Sequence, residues 1–415
     1  MNPNKQTLSV LALCVGLMYG VGAQASICGI TTVGGGSSSA NFGVDADVSG
    51  SGGATIGSAN YSLSGSLGQP TQNIDSTSAS YGGATGFWNV LSGEEGEPQF
   101  RDLQCEGTVA IASLADFDAY VASDFGSAGG DKYKNLLVIA SLSESSIGLL
   151  SPCKIELTAG VNLSATSISV EGGKGVHVKE YVSFDAGEIC IASDKDKVKL
   201  DKGSNVNADN LNIASRKEVK IGNNFNAQLT SSGVVSSSDG KVIFEKEAQM
   251  NLLSLSISGA KGVDIKSDVY IEAIGSITML TESQDQNHGH KHKQKFKLDI
   301  GKNSTLIADV VDLVSGQIKV GDNTVITTQN GLKMMSTGEG KDSKLEIKKS
   351  VSLTSFSDID LISADGLSIG QNADLLVTGN LNVDAAGSGK KSCHIDKSVT
   401  ASYLTSSGSC ASDLP

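Results

Sequence analysis

Residues 198–206 read VKLDKGSNV, and residues 219–227 read VKIGNNFNA. Both open on an apolar–polar–apolar triplet, cross three polar or glycine positions and close on a second alternating stretch. Alternation with period two marks a strand that buries one face. The residues between the two stretches then form a turn. One such unit is too short to bury its apolar side alone, so the fold depends on whether the unit recurs.

It recurs eleven times, starting at Ile155, Val176, Val198, Val219, Val242, Val263, Leu298, Ile318, Leu345, Leu367 and Cys393. The successive spacings are 21, 22, 21, 23, 21, 35, 20, 27, 22 and 26 residues. A third alternating pair follows in most copies, as in ISV (168–170), ICI (189–191), LNI (211–213) and LSI (255–257). Three short strands per copy, stacked copy on copy, describe an all-β parallel β-helix of about eleven rungs. Parallel crossovers favour right-handed winding. At a strand spacing of about 4.8 Å such a rod is roughly 50 Å long. The leucine and asparagine signature of leucine-rich repeats is missing, and so is the strict period of six of a left-handed hexapeptide helix. The pattern resembles the β-helices of large bacterial adhesins and of pectate-lyase-like enzymes, which implies a secreted or surface-exposed rod.

Four segments follow from the reading. Residues 1–25 look like a bacterial Sec-type signal peptide, with Lys5, an apolar run and an Ala23-Gln24-Ala25 cleavage site, so the mature chain is expected to start near Ser26. No later stretch is apolar enough to span a membrane. The expected location is therefore secreted or cell-surface. Residues 26–100 are rich in Gly and Ser and read as a small β module or linker. Within it, SANYSLSGSLGQPTQ and SASYGGATGFWNVL resemble a short N-Y-x-L-x-G-x-[IL]-G-Q…G-F-W module of exported bacterial surface proteins. That resemblance covers residues 58–91 and implies export alone. Residues 101–154 read as a cap for the solenoid. Ser113 is placed as N-cap of a helix over 113–126 with Leu114, Phe117, Val121 and Phe125 on one face. Residues 155–415 are the β-helix itself.

Of seven cysteines, Cys14 falls in the signal peptide. Six remain, and in an exported chain an even number favours disulfides, with fifteen connectivities open. Cys393 with Cys410, bracketing the last segment, is the first expected pair and Cys105 with Cys153 the second.

The net charge is −13, with 32 Lys and Arg against 45 Asp and Glu. This excludes a general nucleic-acid binder. Yet the third-strand-to-first-strand turns gather positive charge on one edge. Lys174, Lys195, Lys197, Arg216, Lys217, Lys241, Lys261, Lys291, Lys293, Lys295, Lys341, Lys344, Lys390 and Lys391 all fall there. So do the three longest insertions, 281–297, 336–344 and 385–392. A linear acidic polysaccharide or another acidic surface component would screen such a ladder, although solvation of the turns would also account for it. The longest insertion carries NHGHKHKQK (287–295). His288, His290 and His292 at alternate positions would face one side of an extended segment and suit a weak Zn²⁺, Cu²⁺ or Ni²⁺ site, against the repulsion of the flanking lysines. Without that site the stretch is an overgrown turn and no cofactor is expected. Calcium is disfavoured for want of a glycine-rich nonapeptide.

Enzyme signatures are missing. Glycoside hydrolysis needs two carboxylates at a set separation, and the turns are too short to wall a groove around such a pair. No G-x-S-x-G, P-loop or zinc-protease motif occurs. The expected function is a non-enzymatic surface or extracellular-matrix protein, adhesive through multivalent contacts. The alternatives are a polysaccharide lyase or hydrolase with a shallow site, and a subunit that self-associates end to end.

Overall fold

The computed structural model describes residues 108–113, 115–116, 136–151, 153–281, 296–338, 343–386 and 392–415, together with the backbone of five strands between residues 38 and 76. The chain divides into two compact units, Met1–Arg101 and Asp102–Pro415. In the first, strands Ser38–Ser39, Phe42–Val44, Gly53–Ser58, Tyr61–Ser66 and Asp75–Ser76 form an antiparallel meander. The Y-S-L-S-G-S of the surface-module motif is its fourth strand. Phe87 and Trp88 lie outside the described residues, as does most of segment 113–126. At the start of that segment Asp116 N donates to Ser113 Oγ at 3.1 Å, the bond expected of an N-cap serine, and Ala112 N donates to Asp116 Oδ2 at 3.0 Å.

The second unit is a parallel β-solenoid of about eleven turns with three faces. Its first face follows the sequence register without a slip. Ile155 pairs with Val176, Val176 with Val198, and so through every starting residue to Leu367 with Cys393. The 35-residue spacing does not shift the ladder, since Val263 pairs directly with Leu298. Two further strands, Thr108–Ile111 and Leu136–Ile139, extend this ladder ahead of Ile155 and bring it to thirteen. The ladder thus begins well before the first start visible in the sequence.

Alternation fills the interior. Ile, Val and Leu from all three faces are buried, and Phe184, Phe225 and Phe244 are the largest side chains fully enclosed. Burying a side chain of this kind contributes about 1.5–3 kcal/mol. No rung could collect that energy alone, because its inward residues are covered by the rungs above and below.

The first turn, between the first and second faces, repeats one backbone conformation. Its third residue is left-handed in ten successive rungs: Gly160, Tyr181, Gly203, Asn224, Glu247, Asp268, Asn303, Asn323, Ser350 and Asn372, with φ between 53° and 73°. The next residue is buried each time, from Val161 and Val182 to Val351 and Ala373. The left-handed residue therefore turns the chain back into the core. Its amide donates to the carbonyl just before the left-handed residue of the following rung, as in Asn224 N to Lys246 O at 3.1 Å and Asp268 N to Lys302 O at 3.0 Å. Neighbouring Asn and Asp side chains add to the stack. Asn303 Nδ2 reaches Asp268 Oδ1 at 2.9 Å and Asn323 Nδ2 reaches Asn303 Oδ1 at 3.1 Å.

The third turn, from the third face back to the first, rests on buried hydroxyls. Ser193, Ser215, Ser237, Ser315, Ser336 and Ser363 end third-face strands and are buried, as is Thr281 just past the end of another, while Gly259 ends the strand between Ser237 and Thr281. Several bond to turn carbonyls, such as Ser315 Oγ to Phe296 O at 3.3 Å and Ser363 Oγ to Gly366 O at 2.8 Å. Small polar side chains here satisfy backbone groups that the tight turn removes from the ladder.

The C-terminal end is closed by the expected Cys393–Cys410 disulfide, with Cα atoms 5.6 Å apart across 17 residues. Cys410 is fully buried, a short 3₁₀ turn follows at Ala411–Asp413, and Tyr403 and Leu414 pack against the end of the core. Cys153 and Cys190 are disulfide-bonded as well. The proposed Cys105 partner lies outside the described residues.

Two outcomes test this account. Glu247 carries a side chain in a conformation that costs an L-residue about 1–2 kcal/mol. Glu247→Gly is expected to raise the unfolding free energy by roughly 1 kcal/mol in denaturant titration. Closing a loop of this size contributes about 3 kcal/mol. In Cys410→Ser, amide exchange protection should therefore be lost over 393–407 while the central rungs keep theirs.

Candidate functional site

The third-turn edge collects the expected cations among the described residues: Lys174, Lys195, Lys197, Arg216, Lys217, Lys241, Lys261 and Lys344. It also collects counter-charges one rung away. Lys197 Nζ lies 3.1 Å from Glu218 Oε1, Lys217 Nζ 3.4 Å from Asp196 Oδ1 and Arg216 Nε 2.7 Å from Asp239 Oδ2. Side chains this exposed gain little from such pairs, about 0–1 kcal/mol each. Their effect is to neutralise the upper edge. Lys174, Lys241, Lys261 and Lys344 make no ion pair among the described residues. Lys291, Lys293, Lys295, Lys341, Lys390 and Lys391, with His288, His290 and His292, lie outside the described residues. Among the described residues no group of three His, Cys, Asp or Glu is arranged to hold a metal.

The first face carries a denser charge network than the sequence indicated. Its outward central positions include Glu156, His177, Lys199, Asp264, Asp299, Lys319 and Glu346. His177 is not a plain surface residue: its side chain is only 13% exposed. Its Nε2 is 2.7 Å from Asp201 Oδ2, and its Nδ1 is 3.5 Å from Lys154 Nζ. Burial pushes this imidazole below its ordinary pKa, although the Asp201 bond pulls the other way. Neutral His177 therefore donates from Nε2 and accepts at Nδ1. Burial raises Asp201, but bonds from Lys199 and His177 outweigh it and hold the carboxyl below its usual range. Lys266 and Lys348 are tied to Asp264 and Glu346 two residues away on their own strands.

Where the first face meets the first turn, a shallow groove of about 640 Å³ opens across rungs five to nine. Lys246, Lys266, Lys302, Lys319, Lys348 and Lys349 line it, with Asp264, Asp299 and Asp322. Gly301 and Gly321 line it as well. They occupy the turn position held by Glu245, Lys266 and Lys348 in neighbouring rungs. A Cβ on Gly301 would lie 2.4 Å from the Lys266 carbonyl carbon, and one on Gly321 2.7 Å from Lys302 N. At these two positions glycine lets the chain pass close to the backbone of the preceding rung. I/V-G-x-N recurs at 221–224, 300–303, 320–323 and 369–372, and its second and third copies line the groove. Lys246, Lys302, Lys319 and Lys349 make no ion pair among the described residues.

Exposed hydrophobics concentrate elsewhere. Leu253, Ile274, Val310, Phe356 and Leu404 all sit at the second turn, with Ile274 80% exposed. On the third face Asp312 is the one described carboxyl whose pKa is raised: burial pushes it up and nearby Lys333 partly offsets this. Its Oδ1 is buried without a hydrogen bond. Its outward neighbours are Thr278 and Lys333, so no second carboxylate stands beside it. No helix among the described residues is long and apolar enough to cross a membrane. No protein family, no curated protein and no solved structure matches this chain.

Asp312 supplies a pH test. A carboxyl whose folded pKa exceeds its unfolded value helps the fold when protonated and weakens it once ionised. Asp312→Asn is therefore expected to be the more stable protein at pH 7. The advantage should shrink as pH falls toward 3.8, the ordinary value for Asp. A difference that does not change with pH in thermal denaturation would contradict the burial argument.

Proposed function

We propose that the chain is an exported, right-handed β-helix that serves as a non-enzymatic surface or extracellular-matrix protein and engages acidic polymers along a rigid edge. The observation that carries the reading is the unbroken register of the first face, which keeps the rungs on either side of each third-turn insertion in line. Lys174, Lys241, Lys261 and Lys344 then form a fixed array of cations. A rigid array gains from multivalency, because each added contact is intramolecular once the first has formed.

Two features weigh against catalysis. Outward carboxylates on the first face are tied to lysines, as Glu156 is to Lys154 and Lys179 and Asp299 to Lys297. Among the described residues the one carboxyl with a raised pKa, Asp312, has no partner acid beside it in the ladder, whereas glycosidic cleavage needs a pair. End-to-end assembly is also disfavoured, since Leu414, Tyr403 and the Cys393–Cys410 bridge cover the C-terminal end of the core.

The test mixes mature protein with a panel of acidic polysaccharides and follows both binding and the appearance of new chain ends. Binding that weakens as salt rises, without cleavage, is the expected result. Replacing Lys174, Lys241, Lys261 and Lys344 together by Gln should reduce it about tenfold. New reducing or unsaturated ends would make the protein an enzyme and sink the reading.

A further inference from the structure

The middle residue of the first turn has a periodicity of its own. From the third rung onward it reads Lys202, Asn223, Lys246, Ser267, Lys302, Asp322, Lys349, Gln371 and Lys397. The column is fixed by hydrogen bonds, because the carbonyls of the first eight accept from the left-handed residues of the preceding rungs. Lysine thus returns on every second rung, five times, at a step of about 9.6 Å. Lys202 pairs with Glu180 at 3.3 Å. The other four lysines have no ion pair among the described residues.

Neither solvation nor charge avoidance explains this alternation. A solvated turn is served by lysine on any rung. Avoidance of like charge would keep lysine away from neighbouring rungs, yet Lys266 stands in the rung between Lys246 and Lys302. The alternation is also not the trace of one duplicated two-rung unit, since the intervals between these lysines run 44, 56, 47 and 48 residues. Three of the five, Lys246, Lys302 and Lys349, line the groove together with Lys319, Gly301 and Gly321.

We infer that this groove binds an acidic polysaccharide lying parallel to the rod axis, one whose disaccharide repeat carries a single carboxylate. An extended chain of that kind advances by about one disaccharide per two rungs, so successive carboxylates meet successive lysines. The neutral sugar of each repeat then lies over the intervening Ser267, or over Gly321 and Asp322 in the rung between Lys302 and Lys349. Lys319 and the unpaired lysines of the column supply point charges that need no fixed geometry, which suits carboxylates on a flexible chain. Duplex nucleic acid fits poorly, because its phosphates recur every 3.4 Å along each strand. The groove also lacks the aromatic platforms that hold single strands. The inference rests on the polymer-binding reading and adds the first turn to the third as a recognition surface.

The experiment titrates the mature protein with hyaluronan oligosaccharides of increasing length, in which uronate and neutral sugar alternate. Carboxyl-reduced oligosaccharides and duplex DNA serve as controls. Affinity should rise with each disaccharide until the groove is filled, fall with salt, and vanish for the reduced chains. Lys302→Gln with Lys349→Gln should weaken binding about tenfold. The decisive variant exchanges charges within the column, Lys302→Asp with Asp322→Lys. It keeps the net charge but breaks the two-rung step, and it should lose as much affinity as the double Gln variant. Circular dichroism and thermal melting confirm that each variant folds. Wild-type affinity in the exchanged variant would overturn the inference, as would equal binding of DNA. Loss confined to the third-turn variant would overturn it while leaving the proposed function standing. Absence of any polyanion binding would remove both.

Discussion

Everything in the solenoid depends on one residue per rung adopting a left-handed conformation. That residue ends the first face, points its successor into the core and donates its amide to the next rung. Four of the ten positions are Asn and two are Gly, the residues that reach this region most easily. At Tyr181, Glu247 and Ser350 the fold imposes the conformation on residues that do not favour it. The stacking energy of the rungs on either side evidently exceeds that local cost. A β-solenoid tolerates such exceptions because each rung is held by two neighbours.

The strand framework was legible because alternation is a local signal. The eleven starting residues read from the sequence pair in register, each with the next, in ten successive steps, including Val263 with Leu298 across the widest spacing. The Cys393–Cys410 bridge was legible for a similar reason, since it closes one short segment. What stayed hidden depends on register between rungs. Arg216 with Asp239, or His177 with Asp201, are 23 and 24 residues apart and meet only because the ladder brings them level. The place of the strands ahead of Ile155 was hidden too, because only the stacking shows that Leu136–Ile139 belongs to the same face.

The buried hydroxyl column and the first-turn lysines were missed for a different reason. Both were present in the sequence as vertical patterns, one residue per rung, at intervals that insertions make irregular. Reading along the chain averages such a pattern away. Reading down the stack exposes it, and the stack also separates the three edges chemically. The third turn carries cations that are partly neutralised, the second turn carries exposed hydrophobics such as Ile274 and Leu404, and the first turn carries lysines at a doubled step.

An acidic protein with a basic groove poses an apparent conflict, since a net charge of −13 should repel a polyanion. The range of the interaction resolves it. At physiological ionic strength the Debye length is about 8 Å, so a polymer in the groove responds to charges within roughly two rungs. Across that distance Lys302, Lys319 and Lys349 outweigh Asp322, since the other two groove carboxylates, Asp264 and Asp299, are paired with Lys266 and Lys297. Lowering the salt lengthens the reach of the distant carboxylates as well as that of the lysines. Affinity for a polyanion should therefore grow more slowly at very low salt than the local cations alone would dictate. Net charge governs how such a rod approaches a partner, and the spacing of lysines along the stack governs what it can hold.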